Sequence, residues 1–238
     1  MAELLKNQIN PEFIQTLSSK IKGLNTDFKE NEFCNSLLNG EWEQLELKER
    51  VRKISTQLHQ YLGSNYLHNL DILLVIAPSF KGLPQMVFPD YVEVFGLDHF
   101  SQSIGALKEL TPYFSSEFAI RRYISKNQTE MMRTILEWSI DKNEHVRRLS
   151  SEGCRPRLPW AMGIKSLKQD PSEIIPILEN LKNDTSLYVR KSVANNLNDI
   201  SKDHPELALK LFKTWQGKTD GSVSNVRLSL QPKSILGR

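Results

Sequence analysis

DKNEHVRRLSSEG (141–153) and DTSLYVRKSVANN (184–196) are the stretches whose comparison decides the fold. Set one over the other, Asp141 falls on Asp184, Val146 on Val189 and Arg147 on Arg190, a period of 43. A period of about 40 to 47 residues, with a Val-Arg pair opening the second helix of each unit, is the pattern of HEAT-like repeats. Such pairs stack into a curved α-solenoid whose second helices line the concave face. A looser copy lies upstream in SSEFAIRRYISKN, where Ile120, Arg121 and Arg122 match Val146, Arg147 and Arg148 at an offset of 26, so the array is irregular. The expected fold class is all-α, built of HEAT-like helical repeats.

The rest of the chain reads as helix with few strand-like runs. In TEMMRTILEWSID (129–141), Met132, Ile135, Leu136 and, less strictly, Ile140 form one stripe, and Asn127 with Glu130 has capping-box spacing. In DPSEIIPILENLK, Asp170 can cap a helix that has Pro171 at its first position and Glu173 to complete the pattern. Upstream, helices are expected near 11–22, 44–62 and 67–77, with a loop rich in Pro and Gly around 79–91. After Trp215, QGKTDGSVSNVRLSLQPKSILGR has no helical stripe and alternates weakly as a strand does. The expected organisation is a repeat domain over 1–215 and a tail or replaced last repeat over 216–238.

The chain's 238 residues, 39% hydrophobic and 25% charged, suit a folded protein with a real core. A net charge of +3 neither announces nor opposes nucleic-acid binding. Cys34 and Cys154 lie too far apart for a CxxC pair, which indicates neither a disulfide framework nor a zinc knuckle and fits a reducing cytosol. The start MAELLKNQINPEF lacks a signal peptide's charged and apolar regions, and the apolar run DILLVIAPSF (71–80) is too short to span a bilayer. A cytoplasmic protein is expected. His59, His68, His99, His145 and His204 show no ligand spacing, so no metal is expected, and no P-loop, GxGxxG or GxSxG occurs.

RRLSSEGCRPRLPW (147–160) conflicts with its helical surroundings. It holds four arginines, a glutamate, a glycine, two prolines and a tryptophan in fourteen positions. With 144–155 helical, Arg148, Glu152 and Arg155 share one face at spacings of four and three. Pro156 then clashes with the carbonyl of Glu152 and stops the helix, and Gly153 admits a close approach. Residues 142–168 hold seven Lys or Arg against two acids, a local excess of about +5 of the kind phosphates attract.

Each candidate has a plain structural reading beside the functional one. Glu152 balances its arginines on a solvated surface, or acts as a working carboxylate. Glu117, after Ser115 and Ser116 at a helix start, suits the helix dipole. Asp199 in ANNLNDISKDHP sits near a helix end, where a negative charge is disfavoured unless a turn excuses it. Trp160 either packs between repeats or offers an aromatic face to a sugar or a cationic ring. In a solenoid, Glu117, Glu152 and Asp199 fall on three successive inner helices and converge on the concave surface.

The run RRLSSEGCRPRLPWA, followed by PILENLKNDTSLYVRKSVANNLNDISKDHP, resembles the bacterial AlkC DNA glycosylases, relatives of the AlkD group, continuously from about 115 to 215. The resemblance implies a solenoid with a concave DNA-binding face that excises cationic N-alkylated bases, such as 3-methyladenine and 3-methylcytosine, from duplex DNA. It also implies that the lesion need not enter a tight base pocket, unlike most glycosylases. By that resemblance Glu152, Asp199 and Glu117 are the catalytic carboxylates. Trp160 faces the lesion's sugar, and Arg148, Arg155 and Arg157 contact the backbone or brace the acids. The chain departs from the family after Trp215, where members usually continue with another helix pair and some add an immunoglobulin-like domain.

The implied chemistry needs no cofactor. An N3-alkylated base is already cationic and leaves without a general acid, while positive charge develops on the deoxyribose. Carboxylates fixed beside that sugar stabilise the oxocarbenium-like state more than the ground state, and one can orient or deprotonate water. The expected protein is thus a monomeric hydrolase of N-glycosyl bonds. Its competitors are a non-catalytic DNA-binding solenoid and a protein-interaction HEAT scaffold.

Overall fold

A computed structural model describes residues 4–216. The chain divides into two compact units, Met1–Ile120 and Arg121–Arg238. Every regular element among the described residues is helical, so the all-α class is borne out.

The first unit contains α1 (Pro11–Leu24), α2 (Glu30–Leu37), α3 (Leu47–Leu62), α4 (Tyr66–Ile76), α5 (Val87–Phe95) and α6 (Phe100–Leu110). In α1, Asn10 accepts from the Phe13 amide at 2.8 Å and Pro11 takes the first position, where its missing N–H goes unneeded. Ile14, Leu17 and Ile21 then recur at three and four residues and are fully buried. A reciprocal Glu46–Glu49 capping box starts α3, whose Val51, Ile54 and Leu58 form a buried stripe of its own.

The loop expected over 79–91 is largely helical. A 3-10 turn over Leu83–Met86 runs into α5, and Pro89 sits in the first turn of α5, where its lack of an N–H matters least. The prolines mark a helix start, and sequence reading took them for its absence.

Helix α7 (Ile120–Lys126) starts on the last residue of the first unit and carries the chain into the second. Then follow α8 (Gln128–Trp138), α9 (Glu144–Gly153), α10 (Lys165–Gln169), α11 (Ile175–Leu181), α12 (Leu187–Ser201) and α13 (Pro205–Gln216). Helix α8 pairs with α9 and α11 with α12, while α8 meets α11 and α9 packs extensively on α12. That is the stacking the 43-residue period predicts. The period also has a side-chain cause. Arg147 Nη1 donates to the carbonyls of Asp141 and Lys142, at 2.9 and 3.0 Å, and Arg190 Nη1 does the same to Asp184 and Thr185 one repeat later. Arg147 also clamps the Asp184 carboxylate at 2.6 and 3.0 Å, joining the two repeats.

Two local expectations shift. Helix α8 ends at Trp138, so Ile140 lies beyond it, 75% exposed, and Leu136 is on the solvent side. Met131, Met132, Ile135 and Trp138 form the buried stripe. The Asn127 cap stands, accepting from the Glu130 amide. Asp170 accepts from the Ser172 amide in a turn, but α11 begins only at Ile175, because Pro176 has no N–H to bond back to Ser172. Glu173 instead accepts from Gln128. The expected tail, 216–238, lies outside the described residues apart from Gln216, the last residue of α13. No helix among the described residues is long and apolar enough to cross a membrane.

Candidate functional site

The site is the seam between α9 and α12. On α12, Ser192, Asn196 and Asp199 follow at four and three residues, making one polar stripe that is buried throughout. It faces the end of α9, where Ser150, Ser151 and Glu152 are buried as well. The helix stops at Gly153, two residues short of the expected end, and the chain leaves through Cys154 and Arg155 ahead of Pro156. Arg155 therefore stands just past the helix, free of its register.

Glu152 is 4% exposed and Asp199 1% exposed. One guanidinium joins them: Arg155 Nη1 donates to Glu152 Oε1 at 2.6 Å and Arg155 Nε to Asp199 Oδ2 at 2.8 Å. Arg148 Nη2 lies 3.5 Å from the same Glu152 oxygen. Ser192 Oγ donates to Glu152 Oε2 at 2.7 Å, and Lys202 Nζ to Asp199 Oδ1 at 3.0 Å. Burial works against the charge on Arg155, but the Asp199 hydrogen bond and the field of Glu152 outweigh it, and its pKa is raised. Glu152 does balance its arginines, yet inside the protein, so the solvated-surface reading does not hold. Asp199, set against the helix dipole near the end of α12, is compensated by Arg155 and Lys202.

Around this seam, Arg148 stacks over Tyr188 at 5.0 Å. Arg157 pairs with Asp203 at 2.6 and 3.2 Å on the surface. The local excess of positive charge is therefore smaller than the count over 142–168 implies. Arg147, Arg155 and Arg157 are matched by Asp184, Asp199 and Asp203, all from the next repeat.

Trp160 is 68% exposed, so its packing role is excluded. Its φ of 62° puts a bulky side chain in the left-handed region, the one non-glycine residue so placed among the described residues. Glu117 belongs to the first unit. It occupies a turn ahead of α7, short of the helix start expected for it, and accepts from Ser115 Oγ at 2.8 Å. The structure thus brings Glu152, Asp199, Arg148 and Arg155 together within the second unit.

Sequence reading missed four partners. Ser192 and Asn196 were legible only as residues sharing the face of Asp199, and Lys202 only as a base three residues after it. Arg121 is the fourth. It is fully buried, and it binds the main chain at both ends of the segment that follows α9: Gly153 O and Arg155 O at 2.9 and 2.7 Å, and Met162 O at 2.8 and 2.6 Å. In the looser repeat copy it aligned with Arg147, but it does a different job. Its signal was a charged residue set among the buried Ile120, Tyr123 and Ile124.

Fold and site together define a class: an all-α helical-repeat protein whose repeat interface holds a pair of buried carboxylates on one arginine. The comparisons agree with the resemblance read from residues 115–215, for the chain has the helical-repeat fold of the AlkC/AlkD proteins. It is similar to Pseudomonas fluorescens alkylpurine DNA glycosylase AlkC, solved bound to DNA containing an abasic site analog. The TM-score is 0.90 at 36% identity, over 95% of this chain and 63% of that one. AlkD2 from Streptococcus mutans, at 21% identity and a TM-score of 0.59 over 90% of this chain and 96% of that one, shares the fold. The uncharacterized protein YhaZ of Bacillus subtilis (strain 168) is 50% identical over 213 residues, 90% of this chain and 60% of that protein. The chain thus spans about three fifths of the length of these two larger relatives. No protein-family model matches it.

Proposed function

We propose that this chain is a DNA glycosylase that hydrolyses the N-glycosidic bond of cationic N-alkylated bases in duplex DNA, with 3-methyladenine and 3-methylcytosine as substrates. The observation that carries the reading is the pairing of Glu152 and Asp199 across one guanidinium in a chain so similar to AlkC. Carboxylate oxygens fixed beside Arg155, Arg148 and Lys202 in a buried seam are screened less by solvent than surface groups, so their field acts more strongly on a charge that forms close to them. A sugar that becomes cationic as its bond breaks gains from that field more than the neutral sugar does. Arg155 and Ser192 hold the oxygens still, which is the preorganisation such catalysis requires. In this reading Glu152 and Asp199 act mainly by charge and position, Glu117 is the third catalytic carboxylate, and Trp160 faces the sugar. Arg148 and Arg157 contact the DNA backbone. The protein works in the cytoplasm, as a monomer and without a cofactor.

One observation favours a second reading. Every oxygen of Glu152 and Asp199 already has a partner, as structural ion pairs do. A non-catalytic DNA-binding protein or a protein-interaction scaffold would fit that too. Base release from methylated duplex by the purified 238-residue chain decides the matter. Free alkylated base above the spontaneous rate is expected. DNA binding without release would leave the non-catalytic reading standing.

A further inference from the structure

We infer that Arg121 is a positioning residue: its buried guanidinium fixes the segment after α9 so that Trp160 is held outward in a strained conformation. The inference rests on the glycosylase reading for its activity readout alone. The chain between Gly153 and Lys165 contains no helix, yet it carries Arg155, Arg157 and Trp160. A bulky residue at φ 62° is disfavoured and persists only where its surroundings over-determine it.

Arg121 supplies that determination. Four hydrogen bonds from it reach Gly153 and Arg155 where the segment begins and Met162 where it ends, so one rigid planar group closes the loop. Gly153 is the last residue of α9, where the helix dipole also favours a cation. Weaker closures support it. The Ala161 amide bonds to Leu158 O and the Ile164 amide to Pro156 O, both at 3.3 Å. Leu158, within the segment, is buried. What this frame presents is an indole 68% exposed, next but one to a methionine 53% exposed. A lysine cannot replace Arg121, because its hydrogens radiate from one nitrogen and cannot form the planar fork that spans both ends of the loop.

The test uses the full chain, labelled with 5-fluorotryptophan, as wild type and as R121K. The four tryptophans give four fluorine signals, and W160F assigns that of Trp160. In R121K the Trp160 signal is expected to shift or broaden while those of Trp138 and Trp215 hold. Base release should fall roughly 10- to 100-fold, as for a misplaced contact group. R121K/W160A should lose no more activity than W160A alone, because the two residues act through one another. A folded R121K with an unmoved Trp160 signal, or losses that add in the double variant, overturns the inference. Should R121K not fold, hydrogen exchange of the wild type decides. The Ala161 and Ile164 amides must exchange as slowly as the last turn of α9, and rapid exchange there sinks the idea. Should the wild type release no base, the glycosylase reading fails, and the fluorine and exchange measurements still judge Arg121.

Discussion

Arg155 donates to two carboxylates that lie 47 positions apart in sequence, and this one side chain turns two acids into a site. Breaking a buried pair leaves a charge stranded, so a single amide substitution affects both stability and chemistry. E152Q and D199N are each expected to lower base release by about 100- to 1000-fold, the scale of losing one preorganised electrostatic contact, with duplex affinity changed little. Single-turnover release and equilibrium binding on one methylated duplex check this, and unchanged release in both variants would remove the mechanism. The pairing of Arg148 with Glu152 was legible because a helix puts residues four apart on one face, whereas Arg155 reaches Glu152 from just past the helix end. The partnership with Ser192 and Asp199 was not, since it arises only when α9 packs on α12. Nor was the outward, strained Trp160, because a tryptophan in a proline-rich break reads equally well as packing.

At the scale of helices, the Arg147–Asp184 clamp is the physical content of the repeat. Burial alone would raise the pKa of Asp184, but the hydrogen bond and charge of Arg147 outweigh it and hold the carboxyl below its ordinary value. A carboxylate with a depressed folded pKa stabilises the protein above its unfolded value and loses that contribution as pH falls through the folded one. Stability should therefore decline below about pH 4 partly through Asp184. D184N should lower unfolding free energy near pH 7 by about 2 kcal/mol, between the values for exposed and buried pairs, and should flatten the acid limb. Denaturant titrations of both proteins from pH 7 to pH 3 measure this, and parallel curves would disprove it. The helices themselves were readable where a cap and apolar spacing coincide, as in α8, whose Asn127 cap and buried Met132 and Ile135 were both expected. They were misplaced where proline lies inside a first turn, as in α5 and α11, because a residue that ends one helix also begins another.

For the molecule as a whole, a net charge of +3 says little by itself, and the ion pairs between repeats absorb part of the basic run around α9. The proposed grip on duplex DNA then needs only a modest set of phosphate contacts. Binding should weaken with salt along a log–log slope of about −2 to −4, equivalent to a few displaced counterions. Fluorescence anisotropy across roughly 50–300 mM salt reads this, and a flat response would favour the protein-interaction scaffold. The resemblance in sequence was legible over 115–215, whereas the likeness in fold extends over 95% of the chain. The first unit keeps the helical architecture through core residues that carry no distinctive wording.

Cys154 closes α9 beside Glu152 and is fully enclosed, its Sγ donating to the Ser150 carbonyl at 3.1 Å, while burial pushes the thiol up to about 12. Sulfur attacks electrophiles as the thiolate, and here almost none exists near neutral pH. Under the proposed function, a protein that meets alkylating reagents would thus keep the thiol nearest its paired carboxylates unreactive, surviving the exposure that creates the substrate proposed for it.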